Sequence, residues 1–324
     1  MPSKRLLYCI LLLAASSWAA QTAVVPKKAH SNGNPARIFA PYLDVAHLPD
    51  NAPRLLADSG ARYITLAFVN AGQGCAPTWP GAQSVDADTT ISAFVAKLRT
   101  AGGHVIIAFG GYEGTELAQA CSDVSSLQSA YQKVLDKYKP TALDFDVEHF
   151  AIADQPSIDR RNSALKNLAQ ANPKLRINFT LPATPAGLTD QSVNVLKSAV
   201  AQGVPVHIVN VMTMDYGPIA NSNDMGANAI SAIEGAQSQL KQLGMNAKLG
   251  ITPMLGVNDV AGEVFKLADA ASVLSYARKN SNVALLSFWS LGRDNASCTA
   301  VVSPTCSGIS QKPWEFSRIF VAFH

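Results

Sequence analysis

Hydrophobic positions change period repeatedly along the chain. From Arg37 onward, short runs rich in β-branched and aromatic residues alternate with longer stretches whose apolar residues recur at i, i+3 and i+4, as Leu165, Leu168 and Ala169 do. The first pattern predicts strands and the second amphipathic helices. Strands are expected over residues 38–42, 63–69, 104–109, 142–147, 176–181, 208–214, 249–254 and 285–289. Helices are expected over 89–101, 125–138, 157–172, 189–202, 227–243 and 270–280. No two strands follow one another directly, so the sheet should be parallel. Eight strand units in about 290 residues predict an α/β fold of the closed (β/α)8 TIM-barrel type, usually about 250 residues plus loops. The competing open, doubly wound sheet lacks support. The turn at 43–49 has no glycine-rich dinucleotide fingerprint, and Gly110-Gly111 does not supply its spacing. In a barrel the chemistry sits at the C-terminal ends of the strands.

Composition narrows the class without changing that picture. The chain has 324 residues, 48% hydrophobic, 15% charged and 7% aromatic, which supports a sizeable core and excludes a disordered chain. No short repeat is present, which excludes coiled coils and solenoids. Lys4 and Arg5 precede an apolar run over 6–15, and Ser17 and Ala19 occupy the positions a signal peptidase reads. Residues 1–20 are therefore expected to be a secretory signal peptide, because the run is shorter than the roughly 20 residues that span a bilayer. Residues 21–36 should form a flexible lead-in, and 37–324 one catalytic domain. Without Lys4 and Arg5 the basic count falls from 26 to 24 against 23 acidic residues, a net of +1, so nucleic acid is not an expected partner. After leader removal no membrane association is expected, and the mature chain is expected to be a secreted monomer, extracellular or periplasmic.

Cys9 departs with the leader, leaving Cys75, Cys121, Cys298 and Cys306. An even number of cysteines in an oxidising compartment predicts two disulfides, and Cys75–Cys121 with Cys298–Cys306 closes the shorter loops. A zinc site would want close Cys-x-x-Cys spacing or a His pair, and neither is present.

The densest chemistry lies on the fourth strand. Leu143-Asp144-Phe145-Asp146-Val147-Glu148 places three carboxylates at i, i+2 and i+4. Successive side chains of a strand alternate, so the acids share one face, and in a closed barrel that face is the interior. Crowded carboxyls withdrawn from water cannot all ionise, so one should keep a proton for general acid catalysis. A hard cation is the alternative occupant. Apart from Asp215, however, no second acidic cluster completes an oxygen cage.

These residues resemble a known family. Leu143 to Glu148 is similar to the Asp-x-Asp-x-Glu signature of family 18 glycoside hydrolases, the chitinases, which are (β/α)8 barrels. Ala108-Phe109-Gly110-Gly111 resembles the third-strand Ser-x-Gly-Gly element, with Ala for Ser. Val211 to Tyr216 resembles the sixth-strand Met-x-Tyr-Asp element, with Met214 in place of the usual Tyr, and Phe288-Trp289 resembles the eighth-strand end. The likeness extends from about Arg37 to Trp314.

The resemblance implies retaining, substrate-assisted hydrolysis of chitin or chito-oligosaccharide, without metal or organic cofactor. Glu148 would protonate the glycosidic oxygen and then act as base toward water. Asp146 would bind the 2-acetamido N–H and stabilise an oxazolinium intermediate, and Asp144 would share a proton or hydrogen bond with Asp146. Gly111, Met212, Asp215, Tyr216 and Trp289 would border the sugar, with Tyr42 or Tyr216 supplying the hydroxyl that Met214 lacks. Trp79 reads equally as an extension of the cleft or as a packing anchor. Only about 30 residues separate Met254 from Leu285, too few for a walled groove, so an open cleft and cutting within chains are expected. A chitin-binding lectin without catalysis, and a related hydrolase of peptidoglycan or N-glycan, are the alternatives; lectins of this family generally lose the acid at position 148.

Overall fold

The computed structural model describes residues 37–81, 83–220 and 224–323. The expected leader and lead-in, 1–20 and 21–36, lie outside the described residues. The chain runs through strand one in two pieces, Ile38–Phe39 and Tyr42–Asp44 (together β1), then α1 (Ala52–Ser59), β2 (Tyr63–Ala71), α2 (Thr90–Thr100) and β3 (His104–Gly110). It continues with α3 (Val124–Tyr138), β4 (Ala142–Asp146), α4 (Gln155–Ala171), β5 (Ile177–Thr184), α5 (Asp190–Gln202) and β6 (Val206–Met212). The last elements are α6 (Met225–Gln242), β7 (Lys248–Thr252), α7 (Leu267–Lys279), β8 (Val283–Leu286) and α8 (Glu315–Phe320).

Each neighbouring pair from β2 to β8 is parallel, and β1 closes the ring. Its first piece pairs with β8 and its second with β2, also in parallel. The break falls at Ala40-Pro41, where proline has no N–H to give; its carbonyl still accepts from Thr65 N. This is the closed (β/α)8 barrel that the alternating pattern predicts.

Element ends follow local chemistry. Asn51, Asp123, Thr189 and Asp224 cap helices by accepting backbone N–H bonds, and Gly60 and Gly203 end α1 and α5 in the left-handed conformation. Several strand ends differ from expectation: β5 runs to Thr184 rather than 181, β7 spans Lys248–Thr252 rather than 249–254, and β6 and β8 are shifted at both ends. β6 spans Val206–Met212 rather than 208–214, because the chain turns away after Thr213 and reaches a left-handed residue at Asp215, φ +48°. β8 ends at Leu286 rather than 289, since Pro253 opposite can accept from Trp289 N but donates nothing in return, leaving only an isolated bridge between Met254 and Trp289.

The strand alternation divides the core into two. Inward, Ala40, Ile106, Ala142, Ile208, Ala284 and Leu285 seal the N-terminal end of the barrel. Outward, Leu143, Phe145 and Val147 meet the helices, and the Phe145 ring stacks on Phe109 at 5.0 Å and meets Tyr131 of α3 at 5.1 Å. These outward contacts fix the inward direction of Asp144 and Asp146. Cys75–Cys121 and Cys298–Cys306 are the two disulfides, the first joining the loops that follow β2 and β3. No helix among the described residues is long and apolar enough to cross a membrane. Truncating Phe145 to Ala should cost about 3–5 kcal/mol, the usual range for a buried phenylalanine, read as a lowered denaturant midpoint.

Candidate active site

Three carboxyls rise along the inner face of β4. Asp144 and Asp146 are buried, at 3% and 5% exposure, while Glu148 stands just beyond the strand and is partly open to solvent. Burying charge is costly unless it is hydrogen-bonded, and the barrel meets that cost at Asp144. Tyr42 Oη donates to Asp144 Oδ2 at 2.7 Å, and Thr180 Oγ1 approaches both carboxyl oxygens at 2.9 Å. Behind them, Asn210 Nδ2 donates to Thr180 Oγ1 at 3.0 Å, and Thr252 Oγ1 donates to Asn210 Oδ1 at 2.8 Å. The amide of Asn210 is thereby oriented with its N–H groups toward the two hydroxyls. Every bond in the chain points toward Asp144.

That polarity sorts the protons. Burial pushes Asp144 up to about 6, against the opposing hydrogen bonds of Tyr42 and Thr180. Asp146 is raised well above the ordinary carboxylate range, by burial first and then by Glu148, Asp144 and Glu116. Its Oδ1 is buried without any hydrogen-bond partner in the protein. Glu148 is pushed up to about 7 by burial and by the charges of Asp215, Glu116 and Asp259. The lowest acid thus holds the charge, the middle one a proton, and the uppermost titrates near neutrality.

Small residues make the site possible. Gly110, φ +89°, pairs with Asp146 in the ladder, and a Cβ there would lie 2.1 Å from the Asp146 carbonyl oxygen. At Gly111, φ +82°, a Cβ would lie 2.6 Å from the Phe68 ring. Gly250 faces Asn210 across β6–β7, and a Cβ would lie 2.5 Å from its Oδ1.

Above the acids, Trp289 is partly exposed and stacks on Phe68, with ring centroids 5.5 Å apart and planes at 16°, and Tyr42 lies 6.1 Å from both. Met212 ends β6 on the same inner face, partly exposed and in register with Pro182 and Thr252. Asp215, whose charge acts on Glu148, is raised to about 6 chiefly by burial and accepts from Val260 N at 3.0 Å. Tyr112 and Phe150, 65% and 74% exposed, flank His149, whose ring centroid is 4.6 Å from one and 3.9 Å from the other.

The two tyrosines expected at the mouth differ in placement: the Tyr42 ring lies beside Phe68 and Trp289, and Tyr216 is buried in the core. The Tyr42 hydroxyl is committed to Asp144 and Thr180. The Tyr216 ring is buried in the outer core, and its loop is held from behind, with Tyr216 N and Gly217 N donating to the buried Glu263 carboxylate at 3.1 and 2.8 Å. Of the two readings of Trp79, the packing anchor is the one found: it is 3% exposed, and its Nε1 donates to Tyr138 Oη at 2.8 Å. Sequence reasoning missed Thr180, Asn210 and Thr252. Their signal was an alternation of apolar and small polar residues within single strands, such as Phe179-Thr180-Leu181.

A closed parallel barrel with stacked acids at the end of its fourth strand belongs to the barrel glycoside hydrolase class. Relatives narrow that class. The catalytic domain of the chitinase from Pyrococcus furiosus superposes with a TM-score of 0.79 at 34% identity, covering 90% of this chain and 95% of that one. The probable bifunctional chitinase/lysozyme of Escherichia coli (strain K12) is 39% identical over 323 residues, covering 92% of this chain and 35% of that protein. Endochitinase 11 of Metarhizium anisopliae is 39% identical over 292 residues, covering 83% and 54%. This chain therefore spans between about a third and a half of the length of these two curated relatives. No family model matches. The chain belongs to the family 18 chitinases of the glycoside hydrolases.

Asp144, Glu148 and Asp215 bind protons more tightly folded than unfolded, so their stabilising contribution is full below about pH 4 and is lost as pH rises through about 6 to 7. Asp215→Asn should accordingly lose less Tm than the parent protein between about pH 5 and about pH 7.5, as followed by thermal melts across that interval.

Proposed function

We propose that this chain is an endo-acting chitinase that hydrolyses β-1,4 bonds between N-acetylglucosamine units with retention, the substrate's acetamido group serving as nucleophile. The observation that carries this reading is the buried, unpartnered Oδ1 of Asp146, directly below an acid that titrates near neutrality. A buried acceptor without a donor demands one from the ligand, and an acetamido N–H supplies it. Holding that N–H turns the acetamido carbonyl oxygen toward the anomeric carbon, so attack becomes intramolecular. Glu148, protonated below about 7, gives its proton to the departing glycosidic oxygen. The carboxylate left behind then removes a proton from the water that opens the oxazolinium ring. Positive charge developing on that ring lies above Asp144, whose charge the two hydroxyls hold in place.

The sugar floor would be Trp289 with Phe68, whose flat apolar faces suit the C–H face of a pyranose. Met212 and Asp215 would border the acetamido pocket, Gly111 would keep the approach to Phe68 clear, and Tyr112 and Phe150 would extend the binding surface beyond Glu148. After β7 there is only a short hairpin, Gly256–Val257 with Val264–Phe265, in keeping with a cleft open at both ends and cutting within chains. One related structure is described as catalytic-site mutants of the Pyrococcus chitinase complexed with chito-oligosaccharides, which supports the same class of ligand here. Secretion, supported by the N-terminal leader pattern and the two disulfides, is part of the proposal, as is a monomeric state. A second reading, hydrolysis of peptidoglycan, is favoured by the lysozyme half of the E. coli relative's name.

Hydrolysis of a fluorogenic chitotriose substrate tests the main reading. Glu148→Gln should lose on the order of 10²- to 10⁴-fold in rate, EDTA should leave the parent enzyme unaffected, and the rate should fall as pH rises through about 7. Peptidoglycan cleavage without chitotriose cleavage would favour the second reading. Disaccharide dominating the earliest products would count against cutting within chains.

A further inference from the structure

Behind the acid ladder lies a charged pair that the reaction does not touch. Glu116 follows β3 and caps the short helix Leu117–Ala120; Arg161 projects from α4. Both are withdrawn from water, Glu116 at 7% exposure and Arg161 at 0%. Arg161 donates through Nη2 and, at 3.1 Å, through Nε, both to the same oxygen, Glu116 Oε2. The second carboxylate oxygen, Oε1, is buried without a partner. It lies 3.1 Å from where a Cβ of Gly110 would stand, the same point that falls 2.1 Å from the Asp146 carbonyl oxygen. Glycine at 110, required by the Asp146 carbonyl oxygen and by its φ of +89°, also leaves room for this bare oxygen at the back of β4. The pair is thus oriented, with its negative end toward the ladder and its positive end toward the helices.

An ion pair with no access to water costs several kcal/mol of desolvation per ion, and apolar replacements are often neutral or stabilising. Stability alone does not explain one that leaves an oxygen unpaired. We propose that Glu116 and Arg161 are positioning residues for the acid ladder: the oriented pair presents fixed negative charge to Asp146 and Glu148 from behind and so keeps Glu148 in its proton-bearing form. The inference rests on Glu148 being the general acid.

The charges around the ladder agree. Glu148 is faced by Asp146 at the end of β4, Asp215 from the loop after β6, Asp259 from the hairpin after β7, and Glu116 from the loop after β3. Asp146 is faced by Asp144, Glu148 and Glu116, with the Tyr42 hydroxyl nearby. Glu116 itself feels Arg161 and Asp154, and the buried Tyr131 senses both members of the pair. Glu116 is the only one of these carboxylates that carries a dedicated counter-ion among the described residues; burial raises its pKa, and Arg161 opposes that rise and favours the charged form.

Two variants of the full chain separate this role from a merely structural one. Glu116→Gln leaves a bare buried cation behind the ladder, whereas Glu116→Gln with Arg161→Gln leaves no charge. The proton equilibrium of Glu148 is read by ¹³C NMR of side-chain-labelled glutamates, its resonance identified by its disappearance in Glu148→Gln, with near-UV circular dichroism confirming the fold. The midpoint should be highest in the parent protein, lower in the double variant and lowest in Glu116→Gln. The descending limb of the pH–rate profile should move to lower pH in the same order. A midpoint unchanged in the folded double variant, or one lower in the double than in the single, would overturn the proposal. If Glu116→Gln does not fold, the double variant alone decides by falling below the parent or not. Absence of hydrolysis in the parent protein would instead defeat the chitinase reading, while the NMR order still decides this one.

Discussion

A carboxylate at the centre of this barrel is tolerated because two hydroxyls deliver hydrogen bonds to it, each backed by a further donor. Asp144 accepts from Tyr42 and Thr180, which are fed by Asn210, which is fixed by Thr252. A chain of this kind has one low-energy polarity. Once Asn210 accepts from Thr252, its amide can only donate toward the hydroxyls, which lie 2.8 Å from each other and within bonding distance of Asp144. The order of protonation up the ladder follows, since the next acid must then hold its proton beside a charge that is already stabilised.

The same constraint explains the small residues around the site. Polar side chains in a barrel interior must approach closely enough to bond, and Gly250 and Gly110 provide the room that Asn210 and Glu116 occupy. Ala108, level with Asp144 across β3–β4 and clustered with Tyr42 and Ala67, has the same effect. With no hydroxyl on residue 108, the second donor to Asp144 comes from Thr180, one strand to the other side of β4.

Much of this was legible from residue order. Alternation at Leu143-Asp144-Phe145-Asp146 was sufficient to place the acids inside the barrel, because Phe145 and its neighbours could only be outside. Six helices were found within one to three residues of their ends, whereas α1 and α8, with 8 and 6 residues, are too short for a 3.6-residue period to stand out. The partners of Asp144 were not legible. Thr180, Asn210 and Thr252 are ordinary strand residues whose role depends on register across β5, β6 and β7, and register between distant strands leaves no local mark. Tyr216 illustrates the reverse: its place beside Asp215 in the chain suggested a shared site, but the left-handed turn at Asp215 and the grip of Glu263 carry its ring to the outside.

Tyr42 sits on the one strand that has to find partners at both ends of the chain, β2 through its second piece and β8 through its first. Its hydroxyl crosses the lumen to an acid 102 positions away in sequence. A refolding molecule that has zipped β4 to β7 already owns the Thr252–Asn210–Thr180 relay, yet its central charge still lacks one of two donors. The charge order of the ladder is therefore complete only when the ring is: Asp144 has both of its donors once the first strand is locked between its two neighbours.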